Sequence, residues 1–215
     1  MTKRLGLFGG TFDPVHLGHL HAAQTLLSEF NLDTIYFIPA YQPVHRDSPQ
    51  ASIEQRLTML QLTLAETDEL ILDTREIDRG GALYAKYTID EYRQQFPEAE
   101  LFFILGTDAF NAIDTWFEWR MLFDDINFII LPRPGYNLNY SKDVAELISQ
   151  KHQSMGANSE VIIGQVLHSQ KAMLRLSATE VRTAIQNNEE ISDLLSENAA
   201  NFVKEHNIYG KDLLK

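Results

Sequence analysis

Six short apolar runs, at residues 4–8, 34–38, 70–74, 101–105, 127–131 and 160–167, recur along the chain with longer amphipathic stretches between them. Runs this short, several rich in Ile, Leu and Phe on both faces, predict strands covered on both sides. The stretches between them carry helical spacing: residues 17–30 place Leu20, Ala23, Leu27 and Phe30 three and four apart, the stripe of a helix lying on a sheet. Capping boxes mark three further helix starts, at Ser52 with Gln55, Thr88 with Glu91 and Ser177 with Glu180. Strand–helix alternation with short connections predicts an α/β fold, a Rossmann-like, doubly wound and mostly parallel sheet with helices on both faces. Ligands in such sheets lie at the carboxyl ends of the strands. No Pro/Gly/Ser linker divides the chain. Residues 1–215 are therefore expected to form one domain, with a helical C-terminal extension from about 177 to 215.

Composition narrows the function. A chain of 215 residues that is 44% hydrophobic and 22% charged is ordinary globular material with enough apolar content for a sizeable core. Lys plus Arg number 18 against 30 Asp plus Glu, a net charge of −12, and such a surface repels both nucleic acid and anionic lipid. No nucleic-acid or membrane partner is expected, and any bound anion must be held locally. The absence of cysteine excludes disulfides, thiolate nucleophiles and Cys-based metal sites. The start MTKRLGLFGG reaches glycine after a very short apolar stretch, unlike a signal peptide, and the longest apolar runs fall far below the ~18 residues of a membrane helix. A cytoplasmic protein is the expectation. The oligomeric state is left open, a homo-oligomer included.

The chemistry is concentrated in Gly9-Gly10-Thr11-Phe12-Asp13-Pro14-Val15-His16-Leu17-Gly18-His19. A strand ends near Phe8, two glycines let the backbone bend and approach a ligand, and a helix begins close to His16. Helix N-termini attract phosphate through their N–H groups and dipole. His16 and His19 are three apart and share one face of the first helical turn, with Gly18 leaving space beside them. The pattern is neither GxxxxGK[ST] nor GxGxxG, which argues against P-loop hydrolysis and ordinary dinucleotide oxidoreduction. Metal ligation by His16, His19 and His21 is the rival reading, but no nearby Glu or Cys completes a tetrahedral set, so no protein metal site is expected.

GGTFDPVHLGH resembles the (T/H)xGH signature of the nucleotidyltransferase superfamily, and its extended form is similar to that of the bacterial nicotinate-mononucleotide adenylyltransferases. Leu176-Ser177-Ala178-Thr179-Glu180-Val181-Arg182 resembles the second signature, S-[AS]-T-x-[IV]-R. That segment also makes sense unaided, because Ser177 caps a helix whose amides can hold a phosphate and Arg182 supplies a permanent charge. The resemblance covers essentially the whole chain. Pro43-Val44-His45-Arg46 is similar to the family's P-P-H-[KR] segment, with Val44 where proline is usual. Gly106-Thr107-Asp108 is similar to a G-x-D turn whose Asp bonds a ribose, although an Asp after a strand is equally a plain helix cap. Arg133-Pro134-Gly135 resembles an R-P-G turn that brings arginine to the nucleotide, although a type II turn explains Pro-Gly as well.

The resemblance implies an ATP site formed by Gly9, Gly10, Thr11, Phe12, His16, His19, Gly106, Asp108, Arg133, Ser177, Thr179 and Arg182. It implies a nicotinate mononucleotide site at Gly10, Thr11, His45, Tyr87, Thr88, Trp116 and Phe117. In it Tyr87 and Thr88 open a helix toward the nicotinate carboxylate and Trp116 stacks on the pyridine ring. Aromatics at the spacing of Trp116 and Phe117 are more often core than ligand platform. Gly80 to Lys86 is longer than the usual connection, so the register of residues 80–88 stays open.

The implied reaction is adenylyl transfer from ATP, with Mg²⁺ on its phosphates, to nicotinate mononucleotide, releasing pyrophosphate. The nucleophile is already an anion, so no general base is needed; His16, His19, Arg46 and Arg182 are expected to align it and neutralise the leaving group. The alternatives are a relative acting on phosphopantetheine or using CTP, and a non-catalytic nucleotide sensor.

Overall fold

The computed structural model describes residues 2–41, 48–81, 84–132, 135–154, 163–171 and 174–210. Among them, strands β1 (Arg4–Gly10), β2 (Thr34–Pro39), β3 (Leu70–Leu72), β4 (Glu100–Gly106), β5 (Asn127–Leu131) and β6 (Val166–His168) form one sheet. Its order is β3-β2-β1-β4-β5-β6 and every pairing is parallel. The chain winds outward from β1 in one direction and then from β4 in the other, so the strand order reverses between those two neighbours. Open α/β sheets bind ligands in the crevice that such a reversal creates, beyond the carboxyl ends of the strands.

The six apolar runs of the sequence are these six strands, with two adjustments. β1 continues through both glycines to Gly10. β3 stops at Leu72, where Asp73 turns its carboxylate onto the Arg75 backbone N–H (2.9 Å). Of the predicted run 160–167, residues 160–162 lie outside the described residues and the strand itself is Val166–His168.

Helices α1 (Leu17–Glu29), α2 (Ile53–Leu64), α3 (Arg75–Arg79), α4 (Ala85–Gln95), α5 (Thr107–Asn111), α6 (Trp119–Asp125), α7 (Lys142–Ser154), α8 (Ala178–Gln186) and α9 (Glu197–Glu205) cover both faces. Alternate residues of the strands feed two cores. Phe8, Phe102, Ile104 and Ile129 join α1, α2, α8 and α9 on one side. Leu7, Leu101, Phe103 and Phe128 join α4, α5, α6 and α7 on the other. Each fully buried side chain of this kind contributes about 1.5–3 kcal/mol relative to exposure. The last two helices thus close the same apolar layer that α1 and α2 begin.

Two expectations about helices need correction. The line of α1 that is fully buried runs through Gly18, Ala22 and Leu26, with Ala23, while Leu20, Leu27 and Phe30 are only partly covered. The stripe is rotated because small residues let α1 lie close to its neighbours. The Ser52 and Ser177 capping boxes are present, but Thr88 starts no helix. It lies inside α4, fully buried, where its hydroxyl donates to Glu76 Oε1 (2.7 Å) and accepts from Arg79 Nη2 (3.0 Å). No described helix is long and apolar enough to cross a membrane.

Candidate active site

β1 delivers Gly9 and Gly10 to the mouth of the crevice. A Cβ on Gly10 would stand 2.9 Å from the Phe12 ring, so the chain can fold back there only as glycine. Phe12 sits in the left-handed region (φ +49°), a conformation that surrounding packing must hold. Its ring is buried against Phe37 (5.4 Å), Phe8 (5.8 Å) and His19 (5.1 Å). The Phe12 side chain thus belongs to the core and packs on His19, so the ATP contact expected of Phe12 would be made by its backbone.

His16 caps α1 and His19 occupies its first turn. The two rings stack with centroids 3.7 Å apart. The His16 backbone N–H donates to His19 Nδ1 (3.2 Å), which makes Nδ1 an acceptor and leaves the proton of neutral His19 on Nε2. Gly18 is needed for this arrangement, since a Cβ there would lie 2.9 Å from His16 Nδ1 and 3.2 Å from Leu176 Cβ. One expected feature is narrower than foreseen: the first amide of α1, on Leu17, already donates to the Leu194 carbonyl (2.9 Å).

His16 is 4% exposed and its Nδ1 makes no hydrogen bond. Burial lowers its pKa from 6.5 to about 4, opposed by the nearby negative charge of Glu180. Burial thus favours the neutral imidazole of His16 at pH 7 in the free protein, where it offers a dipole rather than a permanent charge. The unfolded chain takes up this proton near pH 6.5 and the folded chain only near pH 4. The associated stability is whole above pH 6.5 and lost as pH falls toward 4. Thermal unfolding followed across that window should show wild type losing about 2–3 kcal/mol that a His16→Gln variant does not lose. Parallel pH profiles for the two proteins would contradict the buried, neutral imidazole.

The opposite wall comes from the other end of the chain. Ser177 opens α8 with its hydroxyl and backbone N–H both on Glu180 Oε2 (2.7 Å each), and accepts from the Glu180 N–H (3.2 Å). Arg182, one turn further, donates from Nη1 to the Asp13 carbonyl (2.6 Å) and from Nη2 to Thr179 Oγ1 (3.2 Å). The two signatures, 169 residues apart at this bond, meet directly. Beside them β4 ends at Gly106, which caps α5, placing half-buried Asp108 in its first turn. Thr107 Oγ1 donates to the Leu131 carbonyl (3.0 Å) and ties this turn to β5.

The aromatic side of the site differs from expectation in register. α4 opens at Ala85 after Tyr84, so the helix head lies ahead of Tyr87, whose N–H is taken by the Tyr84 carbonyl (3.0 Å). Tyr84, Tyr87 and Phe117 form an exposed or half-exposed ring cluster, with Tyr84 and Phe117 centroids 4.6 Å apart. Half-buried Trp116 meets Phe103 edge-on at 5.9 Å. His45, Arg46 and Arg133 lie outside the described residues.

Two buried charges escaped the sequence reading. Arg56, 1% exposed on α2, donates from Nη1 to the carbonyls of Thr11 (2.8 Å) and Ala40 (2.9 Å), and from Nη2 to that of Tyr41 (3.4 Å). Its signal was an arginine three and four residues from Met59 and Leu60 on the apolar stripe. Asp13, 7% exposed, accepts from the N–H groups of Gln50 (2.9 Å) and Ala51 (3.0 Å). Together they clamp the chain on either side of the segment carrying His45 and Arg46. Among the described residues no group of three or more His, Asp or Glu is placed to hold a metal ion.

Comparison with known proteins agrees with this geometry. Residues 7–184 match the sequence model of the family described as cytidylyltransferase-like. A "probable nicotinate-nucleotide adenylyltransferase" of Hydrogenovibrio crunogenus is 36% identical over 209 residues, 97% of this chain and 99% of that protein. One of the same name from Cellvibrio japonicus is 36% identical over 210 residues, 97% of this chain and all of that one. In fold, the chain is similar to the nicotinic acid mononucleotide adenylyltransferase of Plasmodium falciparum solved with NaAD, at a TM-score of 0.72 and 15% identity over 96% of this chain and 97% of that one. From the strand that delivers Gly9 to the helix that delivers Arg182, the chain thus belongs to the cytidylyltransferase-like nucleotidyltransferases and, within them, to the nicotinate-nucleotide adenylyltransferase family.

Proposed function

We propose that the protein transfers the adenylyl group of ATP to nicotinate mononucleotide, giving nicotinate adenine dinucleotide and pyrophosphate. The observation that carries this reading is the bond from Arg182 to Asp13, in the loop between β1 and the His16–His19 turn, which brings the two signature segments together. A phosphate oxygen of the mononucleotide forms a bond to the α-phosphorus of ATP while the bond to the bridging α,β oxygen breaks, and pyrophosphate carries the electrons away. No covalent intermediate is needed. Positioning and charge stabilisation are what the protein supplies.

In this mechanism His19 donates from Nε2 to phosphate oxygen, neutral His16 adds a dipole, and Arg182 supplies permanent charge, with Arg46 a second cation. The backbone of Gly9, Gly10 and Thr11 borders the phosphates, and Ser177 and Thr179 present the head of α8. Gly106 and Asp108 stand at the ribose, and Arg133 serves the nucleotide. Trp116 and Phe117 take the pyridine ring with His45 nearby. The carboxylate falls to the first turns of α4, which carry Tyr87 and Thr88. Mg²⁺ would arrive on the ATP phosphates and would keep most of its water there, supplying charge neutralisation. We read the chain as one domain acting in the cytoplasm, since α8 and α9 complete the core begun by α1 and α2.

Pyrophosphate release with Mg²⁺, ATP and a panel of nicotinate mononucleotide, nicotinamide mononucleotide and phosphopantetheine tests the reading. The first acceptor is expected to give the highest kcat/KM. ATP binding without pyrophosphate from any acceptor would replace the enzyme by a nucleotide sensor. Trp116→Ala is expected to raise KM for nicotinate mononucleotide by roughly 10-fold, the scale of one lost aromatic contact, with KM for ATP unchanged. A loss confined to ATP would remove Trp116 from the acceptor pocket.

A further inference from the structure

Asp13 joins four separate parts of the chain. Besides Gln50 and Ala51 ahead of α2, its carboxylate accepts from the hydroxyl of Tyr209 (2.9 Å), 196 residues away and beyond α9. Its carbonyl accepts from Arg182 on α8. Tyr209 is 3% exposed and is held at φ +67°, a conformation that a bulky residue adopts only where its surroundings over-determine it. Burial and the charge of Asp13 push the phenol pKa up, so it stays a donor.

The geometry around Arg182 shows what this hydroxyl does. Arg182 Nη1 stands 3.8 Å from Asp13 Oδ2, while its short bond goes to the carbonyl of the same residue. An arginine beside a carboxylate gains most from a bidentate pair, in which two donors face two oxygens. Here one oxygen is held by Gln50, and the other by Ala51 and Tyr209. The carboxylate is thus kept from turning onto Arg182. The guanidinium is fixed from Nη1 by the Asp13 carbonyl and from Nη2 by Thr179, and its remaining N–H groups are donors for another anion.

We infer that Tyr209, acting through Asp13, is a positioning residue that keeps the 3.8 Å approach of Arg182 to the Asp13 carboxylate from closing into a bidentate ion pair and holds the guanidinium for the phosphates of ATP. The inference rests on the proposed role of Arg182 in the adenylyl transfer. It assigns a function to the far end of the chain: the turn after α9 sets the charge that faces the leaving group.

A double-mutant cycle in the full-length protein tests it. Tyr209→Phe keeps the ring in the core and removes one hydroxyl. It is expected to lower kcat/KM for ATP by roughly 10-fold in the wild-type background and by less than about twofold in an Arg182→Ala background. Equal losses in both backgrounds, or no loss in a folded Tyr209→Phe protein, would overturn the inference. If Tyr209→Phe does not fold, Asp13→Asn takes its place: an amide cannot draw Arg182 into an ion pair, so kcat/KM for ATP is expected to stay within about twofold of wild type in the folded variant, and a roughly 10-fold loss that persists only when Arg182 is present would overturn the inference. Wild type that binds ATP yet releases no pyrophosphate with nicotinate mononucleotide defeats the reaction assignment alone. The cycle is then read on the ATP dissociation constant, where coupling supports the positioning role and additivity rejects it.

Discussion

His19→Ala is expected to lower turnover by roughly 10²–10³, the loss typical of one preorganised donor aimed at developing charge, with little change in KM for ATP. The expectation follows from how the ring is held. The His16 amide engages Nδ1, Phe12 and Phe8 meet the ring edge-on at 5.1 and 6.0 Å, and His16 stacks on its face. These contacts fix the tautomer and direction of Nε2 before substrate arrives, so no reorganisation is left for the reaction to drive. His19→Gln keeps an N–H near the same place but loses the Nδ1 acceptor, and should fall between alanine and wild type. Steady-state pyrophosphate release decides the matter, and full turnover in a folded His19→Ala protein would end the assignment.

Asp13→Ala is expected to cost about 3–5 kcal/mol of stability, the scale for removing one member of a buried, hydrogen-bonded charge cluster. The buried Ala51 amide, the partly buried Gln50 amide and the Tyr209 hydroxyl would lose their acceptor at once. Buried Arg56, whose positive charge Asp13 supports, would lose a counter-charge as well. Denaturant unfolding gives the number. A loss under about 1 kcal/mol, the range of an exposed ion pair, would mean that the cluster is more open to water than its burial indicates.

The fold was legible in the chain because its signals are local. Strands buried on both faces must be apolar at successive positions, and six such runs separated by helical spacing leave few arrangements other than a wound parallel sheet. The Ser52 and Ser177 caps were readable for the same reason, since a capping box closes within four residues. Thr88 failed because the same spacing occurs inside a helix whenever a buried hydroxyl finds partners elsewhere, here Glu76 and Arg79. The start of α4 moved with it to Ala85, in a segment whose register the sequence leaves open.

Sequence alone determined which residue types could gather round a nucleotide: two histidines spaced for one helical turn, glycines where the backbone must bend, and a permanent cation behind a helix cap. Only the tertiary structure decided their states and their partners. Burial makes His16 neutral, the Phe12 ring goes to the core, and Asp13 meets Tyr209 and Arg182 across nearly the whole length of the chain. The physical reason is that hydrogen bonds between distant segments, and the desolvation that shifts a pKa, depend on what the fold packs around a group, which no local spacing encodes.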